Sequence, residues 1–211
     1  MIDTATKKSF DQRFSIIRTL EKSQLILESD QAALTLMNVG KGSFFTCFSN
    51  TYYIQEKNRY QETSEDYKTR QDNFITELTC LCLEKGQIVY FEWEFDDELK
   101  ISMALEQTSF RHIKDEKGQT VDEDDLDQIA EDKDVIVHEG EKFWYEDDWA
   151  ALYQREGKEE KVYMYEFENE ASTLFLTIEE WSGSGRDEYK IYRSKPVDPG
   201  QITIISKGAK G

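Results

Sequence analysis

Proline is almost missing from this chain, at 2 residues in 211, and glycine is limited to 11. That leaves little material for linkers or low-complexity segments, so disorder is not expected outside the termini. Cysteine is scarce and odd in number: Cys47, Cys80 and Cys82 cannot build a disulfide framework, and a reducing compartment is the expectation. Apolar runs are short. None approaches the ~20 residues that cross a bilayer, and the opening MIDTATKKSF lacks the apolar core and small-residue cleavage site of a secretory signal. A cytoplasmic location without direct membrane insertion is therefore expected.

Positive charge is also in short supply. Lys and Arg number 26 against 44 Asp and Glu, a formal net charge of −18. Binding to DNA, RNA or anionic lipid runs on Lys and Arg displacing counterions, so nucleic acid is not an expected partner and a basic one is. Motifs for common chemistry are absent as well. There is no G-x-x-x-x-G-K-[ST] loop, no G-x-G-x-x-G and no G-x-S-x-G, so nucleotide hydrolysis, dinucleotide use and serine-hydrolase chemistry lack their signatures. No cofactor is implied. Only His112 and His138 carry imidazoles, and neither has a sequence cue to a nucleophile or a second ligand, so both read as ordinary surface or turn histidines.

What the chain does have is aromatic and acidic. Twelve Phe, 11 Tyr and 4 Trp supply the core of a chain long enough to fold without disulfide or metal. The acids are concentrated: residues 91–148 hold 21 Asp and Glu against 6 Lys and Arg, which makes that region the candidate electrostatic surface.

Residues 8–28 place Phe10, Phe14, Ile17 and Leu20 at helical intervals among Lys7, Lys8, Arg13, Arg18 and Lys22. The pattern predicts an amphipathic helix packed on the domain, with a strand starting near Leu25-Ile26-Leu27 as the competing reading. From about Gly42 the period becomes two. Phe44 to Phe48 and Thr51 to Ile54 read as strands around the turn Ser49-Asn50. Residues 58–73 read as a long solvated loop, and Phe74 to Leu83 as an interior strand.

Val89, Phe91, Trp93 and Phe95 then alternate with Tyr90, Glu92 and Glu94, and Leu99, Ile101, Met103 and Leu105 repeat the pattern past the turn Asp96-Asp97-Glu98. This is an antiparallel meander with one dry face. Val121 to Asp132 predicts a short acidic helix with Leu126 and Ile129 as its apolar pair. Strands resume near Val135, Phe143, Trp149, Val162, Leu174, Tyr189 and Ile202.

The second half echoes the first. Asp97-Glu98-Leu99-Lys100-Ile101 matches Asp187-Glu188-Tyr189-Lys190-Ile191 in four of five positions. Val89, Phe91, Trp93 and Glu94 fall on Leu174, Leu176, Ile178 and Glu179, with Ser182-Gly183-Ser184-Gly185-Arg186 lengthening the second turn. Glu77 likewise resembles Glu166. The expected fold is mainly β, a β-rich α+β chain: antiparallel meanders in two similar halves, about 42–115 and 135–206, forming a sandwich or barrel-like pair. An N-terminal helical segment over 1–35 precedes it, and the short acidic helix lies between the halves.

Gly42-Ser43-Phe44-Phe45 with Thr51-Tyr52-Tyr53-Ile54, Thr76-Glu77-Leu78, the run from Tyr90 to Glu98, Phe143 to Asp147 and Leu174 to Trp181 follow one another in an order that resembles the bacterial family DUF4178. The resemblance covers roughly residues 36 to 206, within an expected β domain of 36–207. It implies a β-rich fold with no established activity, encoded near homologues of phage shock protein A and near polyamine-synthesis enzymes, hence an accessory role beside membrane-stress systems. Many members carry zinc-ribbon cysteine pairs ahead of this domain, an element this chain lacks.

Cys80-x-Cys82 puts two sulfurs on one strand face, but zinc loops use C-x-x-C on a turn, so the pair reads as core and no metal site is expected. The run Asp122 to Asp127 fails the EF-hand frame at Leu126 and Gln128. Glu92, Glu94, Glu179 and Glu180 are the acids that facing repeats would bring together as a catalytic pair. Tyr163, Tyr165 and Phe167 share a strand face, and Trp144, Trp149 and Trp181 add further aromatic area. An aromatic surface rimmed by acids suits a basic protein partner or a polyamine. The expected function is a non-enzymatic binding or scaffold module recognising a protein through Glu92, Glu94, Trp144, Trp149, Glu179, Glu180 and Trp181. A carboxylate-pair hydrolase and a polyamine sensor are the alternatives.

Overall fold

Alternating apolar and polar residues demand paired strands, because a strand left alone leaves its backbone donors and acceptors unmet. A computed structural model, describing residues 4–183 and 187–208, contains twelve strands and two α-helices. The helices are α1 (Thr4–Ile17) and α2 (Leu126–Asp132). The strands are β1 (Phe44–Cys47), β2 (Asn50–Thr63), β3 (Arg70–Cys82), β4 (Gln87–Phe95), β5 (Leu99–Thr108) and β6 (Ile113–Asp115). They continue as β7 (Val135–His138), β8 (Glu141–Arg155), β9 (Lys158–Glu168), β10 (Phe175–Trp181), β11 (Glu188–Pro196) and β12 (Thr203–Ser206).

All twelve share one antiparallel order, β12-β1-β2-β3-β4-β5-β11-β10-β9-β8-β7-β6, with β2 also paired to β8. The chain is therefore mainly β, with an N-terminal helix and a short acidic one, as its patterning predicts. It divides into two compact units. Unit 1 is Met1–Lys57, Thr76–Ile101 and Val197–Gly211; unit 2 is Asn58–Ile75 and Ser102–Pro196.

In unit 1 the core is aromatic. Phe45 stacks on Tyr52 at 5.2 Å, and Phe91 meets both edge-on at 5.1 and 4.9 Å. Cys47, Cys80 and Cys82 are buried free thiols beside Tyr52. Burial pushes the Tyr52 phenol up to about 12 and the Cys80 thiol well above its usual value, so both stay protonated. The interior-strand reading of Phe74 to Leu83 fits the buried run from Thr76 to Leu78 and from Cys80 to Cys82.

The N-terminal segment departs from expectation. The helix stops at Ile17 instead of reaching 28, and its apolar stripe is not packed inward: Phe10, Phe14 and Ile17 are 59%, 45% and 46% exposed. Arg13 anchors it, donating to the Leu83 and Glu84 carbonyls at 2.7 and 3.0 Å. Helical spacing marks a face but not what covers it. Gly86 permits this approach, because at φ +69° a Cβ there would come within 2.9 Å of Ser9 Oγ. The competing strand reading survives as a single bridge, Leu25 to Ser206.

Residues 58–73 are a second correction: β2 runs to Thr63 and β3 begins at Arg70, leaving only a short turn between them. Polar residues occupy inward positions and mask the alternation. Asn58 and Thr63 are buried along with Tyr60, and the Thr63 hydroxyl donates to the Ala150 carbonyl at 3.2 Å.

Unit 2 holds a core of Ile113, Val121, Leu126, Ile129, Ile136, Phe143, Tyr165, Phe167, Leu176, Ile178 and Ile191. Leu126 and Ile129 come from α2, the pair its sequence predicts. Asp122 caps the acidic turn ahead of α2, accepting from the Asp124 amide at 3.1 Å. A second cluster, Tyr60, Ala151, Tyr153, Val162, Met164 and Trp181, fills the opposite face of β8 and β9.

The segments that echo each other in sequence form hairpins of matching register. Glu77 pairs with Glu92 and Leu78 with Phe91, as Glu166 pairs with Thr177 and Phe167 with Leu176. Phe91, Trp93 and Ile101 are buried, and so are Leu176, Ile178 and Ile191 at the corresponding positions. The likeness ends at Glu94, which is half-exposed beside Lys100 at 3.2 Å, whereas Glu179 is 2% exposed. Ser184 to Arg186 of the longer turn lie outside the described residues.

The core assignment predicts unequal penalties. Truncating Phe143 or Phe167 to Ala should cost about 3–5 kcal/mol, while Phe10→Ser should stay within about 0.5 kcal/mol. Equilibrium urea unfolding measures both, and the reverse ranking would contradict this packing.

Candidate functional site

Period two places Tyr163, Tyr165 and Phe167 on one face of β9. In register, Tyr163 lies opposite Glu180 of β10, and Glu180 lies opposite Tyr189 of β11. The Phe167 end of this face is core. At the Tyr163 end the residues turn polar.

β8 adds two more groups through an irregularity. Its pairing with β9 shifts between Tyr145 and Asp147, so Tyr145 lies opposite Phe167 and Asp148 opposite Tyr165. Residues three apart on a regular strand point to opposite faces. The extra residue brings Tyr145 and Asp148 to the same one, and the hydroxyls of Tyr145 and Tyr163 both donate to the Asp148 carboxylate. α2 supplies the next acid, as Tyr165 Oη donates to Asp127 Oδ1 at 2.9 Å.

The electrostatics follow from this crowding. Burial, reinforced by the carboxylates they donate to, raises the phenols of Tyr145, Tyr163 and Tyr165 well above their ordinary value. Burial and Glu180 push Tyr189 up to about 12, and the same two causes raise Tyr67 in the β2–β3 turn. The Glu180 carboxyl is itself raised, first by burial and then by Asp187 and Asp127. Asp187 accepts from the Gly183 amide at 3.2 Å. Phenol and amide donors fill lone pairs but bring no positive charge. Lys and Arg pair with Asp66, Glu159, Glu94, Glu116, Glu106 and Glu139, away from these carboxylates, and Lys161 Nζ lies 4.7 Å above the Tyr67 ring.

The sequence candidates distribute as follows. Glu180 stands among these phenols. Glu179, its neighbour, faces the other way and is buried, accepting from Tyr60 Oη and Trp181 Nε1, each at 2.8 Å. Trp181 is buried and half-buried Trp149 packs on the same cluster, with Lys190 Nζ 3.8 Å above the Trp181 ring. Trp144 is half-buried opposite Val135 and Glu168. Glu92 and Glu94 belong to unit 1, where Glu92 lies opposite Glu77.

His138 departs from its surface reading: it is 2% exposed, and burial holds its imidazole below the usual value. Sequence reasoning missed Tyr145, Asp148, Asp127, Tyr189 and Tyr67. For Asp127 the signal was present in the acidic helix. For Tyr145 and Asp148 it was hidden, because a bulge breaks the alternation that would have put them together.

Fold and site together define a β-sheet domain bearing a cluster of tyrosines and carboxylates that, among the described residues, meet phenol and amide donors. The family model described as Domain of unknown function (DUF4178) matches residues 40–199, and the chain belongs to that family. No curated protein and no solved structure matches it.

Removing the Tyr60 hydroxyl takes a donor from buried Glu179. Tyr60→Phe should therefore destabilise the protein by about 1–3 kcal/mol, read by urea unfolding, and a change near zero would mean this hydrogen bond contributes nothing.

Proposed function

We propose that the protein is a non-enzymatic binding module that captures a Lys- and Arg-rich segment of a partner protein on the tyrosine–carboxylate face of unit 2. One observation carries this reading. Asp127, Asp148, Glu180 and Asp187 gather around Tyr163, Tyr165 and Tyr189, and among the described residues phenols and amides meet them, not cations.

A cation entering this face would offset the burial and the Asp187 and Asp127 repulsion that raise Glu180, and find aromatic surface beside the acids. The net charge of −18 adds long-range attraction for a basic partner and repels nucleic acid. The setting we propose is the bacterial cytoplasm, in an assembly accessory to a membrane-stress system of the phage shock protein A type. The family resemblance supports that setting, and three buried free thiols support the reducing compartment.

The test is titration of a fluorescent Lys/Arg-rich peptide into the full chain. Affinity should fall by about tenfold or more between low and high salt, as screening of charge attraction requires. Asp148→Asn and Glu180→Gln should each weaken it several-fold with the fold intact. A salt-independent or variant-independent affinity would overturn the reading, and spermidine binding more tightly than the peptide would make a polyamine the ligand.

The pH dependence has a definite sign. Glu180 titrates above the ordinary carboxylate range, so its charge, and with it affinity for a cation, is present near neutrality and lost as pH falls through that raised value. Glu180→Gln should flatten this dependence, measured by the same titration across weakly acidic buffers.

A further inference from the structure

Away from the tyrosine face, unit 2 contains a place where buried polar atoms go without hydrogen bonds. Glu106 Oε1, His138 Nδ1 and Arg193 Nε are all buried and have no hydrogen-bond partner. They converge from three elements: Glu106 on β5, His138 at the end of β7, and Arg193 on β11, where a bulge interrupts the pairing next to Glu106. Glu139, the first residue of the β7–β8 turn, joins them. Ligand atoms of Glu106, His138 and Glu139 lie within 4.8 Å of one another.

Arg193 fills the space between the carboxylates but fits it poorly. Its Nε lies 2.7 Å from Glu106 Oε1 and its Nη1 3.1 Å from Glu139 Oε2. The Nε and Oε1 atoms nonetheless fail to form a hydrogen bond, so the N–H is not aligned on the oxygen. His138 presents the complementary defect. Its Nε2 is paired with Thr108 Oγ1 at 3.2 Å, which orients the ring and leaves Nδ1 as an unused donor atom, 2% exposed with the rest of the residue.

One His138 nitrogen is held by a hydroxyl, the other is unpartnered, and a ligand atom of the ring lies within 4.8 Å of two carboxylates, which is how a metal-ligating histidine is set beside its orienting partner. A buried polar atom left unpaired is costly, and here His138 Nδ1 has no partner while Arg193 Nε and Glu106 Oε1 meet only as a misaligned ion pair.

We propose that Glu106, His138 and Glu139 form a binding site for a divalent first-row transition ion of the zinc class, which displaces the Arg193 side chain. The donor set of one imidazole nitrogen and two carboxylates suits such an ion and is too nitrogen-rich to favour Mg²⁺ or Ca²⁺. Three protein ligands leave at least one coordination position for water. Arg193 acts as the resident cation of the metal-free form. Its side chain is 22% exposed, and Glu139, at 59%, lies on the open side. The ion enters there and the guanidinium leaves for solvent.

Calorimetric titration of Zn²⁺ into the full chain, kept reduced with a phosphine, tests this. One ion should bind per chain and raise the melting temperature. Glu139→Gln should weaken binding about tenfold or more. Arg193→Gln should tighten it several-fold, since it removes the competing charge and spares all three ligands. That gain does not depend on whether a His138 variant folds. Co²⁺ should bind at the same site without thiolate charge-transfer absorption. The proposal is overturned by the absence of stoichiometric binding, by affinities that neither variant changes, or by a thiolate band placing the ion on Cys47, Cys80 and Cys82.

Discussion

The antiparallel register of β8, β9, β10 and β11 is the constraint on which the rest of unit 2 depends. Because side chains alternate with period two, a slip of one residue would turn Tyr165 and Phe167 to the Trp181 side and bring Met164 and Val162 into the α2 core. Buried apolar groups on both faces hold the register: Phe167, Leu176, Ile178 and Ile191 on one side, Val162, Met164 and Trp181 on the other. The polar cluster sits at the end of the first face, so the apolar packing below positions it.

The two neighbouring glutamates of β10 show how that geometry divides chemical roles. Glu179 is enclosed and its oxygens meet Tyr60 and Trp181, which makes it a structural acceptor. Glu180, one residue on, emerges among phenols and other carboxylates, and burial together with the neighbouring Asp187 and Asp127 raises its carboxyl. A change of face decides the difference, not a change of residue type. In the same way, Asp148 gains two phenol donors because a bulge in β8 re-aims it. The proposed ion site lies where the β5–β11 register is irregular, next to the pairing of Arg193 with Glu106.

Much of the fold was legible. Alternation marked the strands from Val89 onward, Leu126 and Ile129 marked α2, and the aromatic content foretold a ring-filled core. Failures came where polarity and position conflict. Asn58 and Thr63 face inward yet read as loop residues, and Phe10, Phe14 and Ile17 face outward yet read as a packing stripe. Of the proposed contact residues Glu180 was identified, and Tyr163 and Tyr165 were recognised as sharing a face. Tyr145, Asp148 and Tyr189 were not, because their neighbours are set by a bulge and by pairing with distant strands.

By itself the sequence determined class, charge and periodicity: a mainly antiparallel β chain, strongly acidic, with aromatic interiors. Those properties are local or additive, so counting and spacing reveal them. Tertiary structure alone decided which carboxylates are buried acceptors, which crowd one another, and which lie near the buried His138 imidazole. Those outcomes turn on strand order and bulges that bring residues such as Glu106, His138 and Arg193 together from distant parts of the chain.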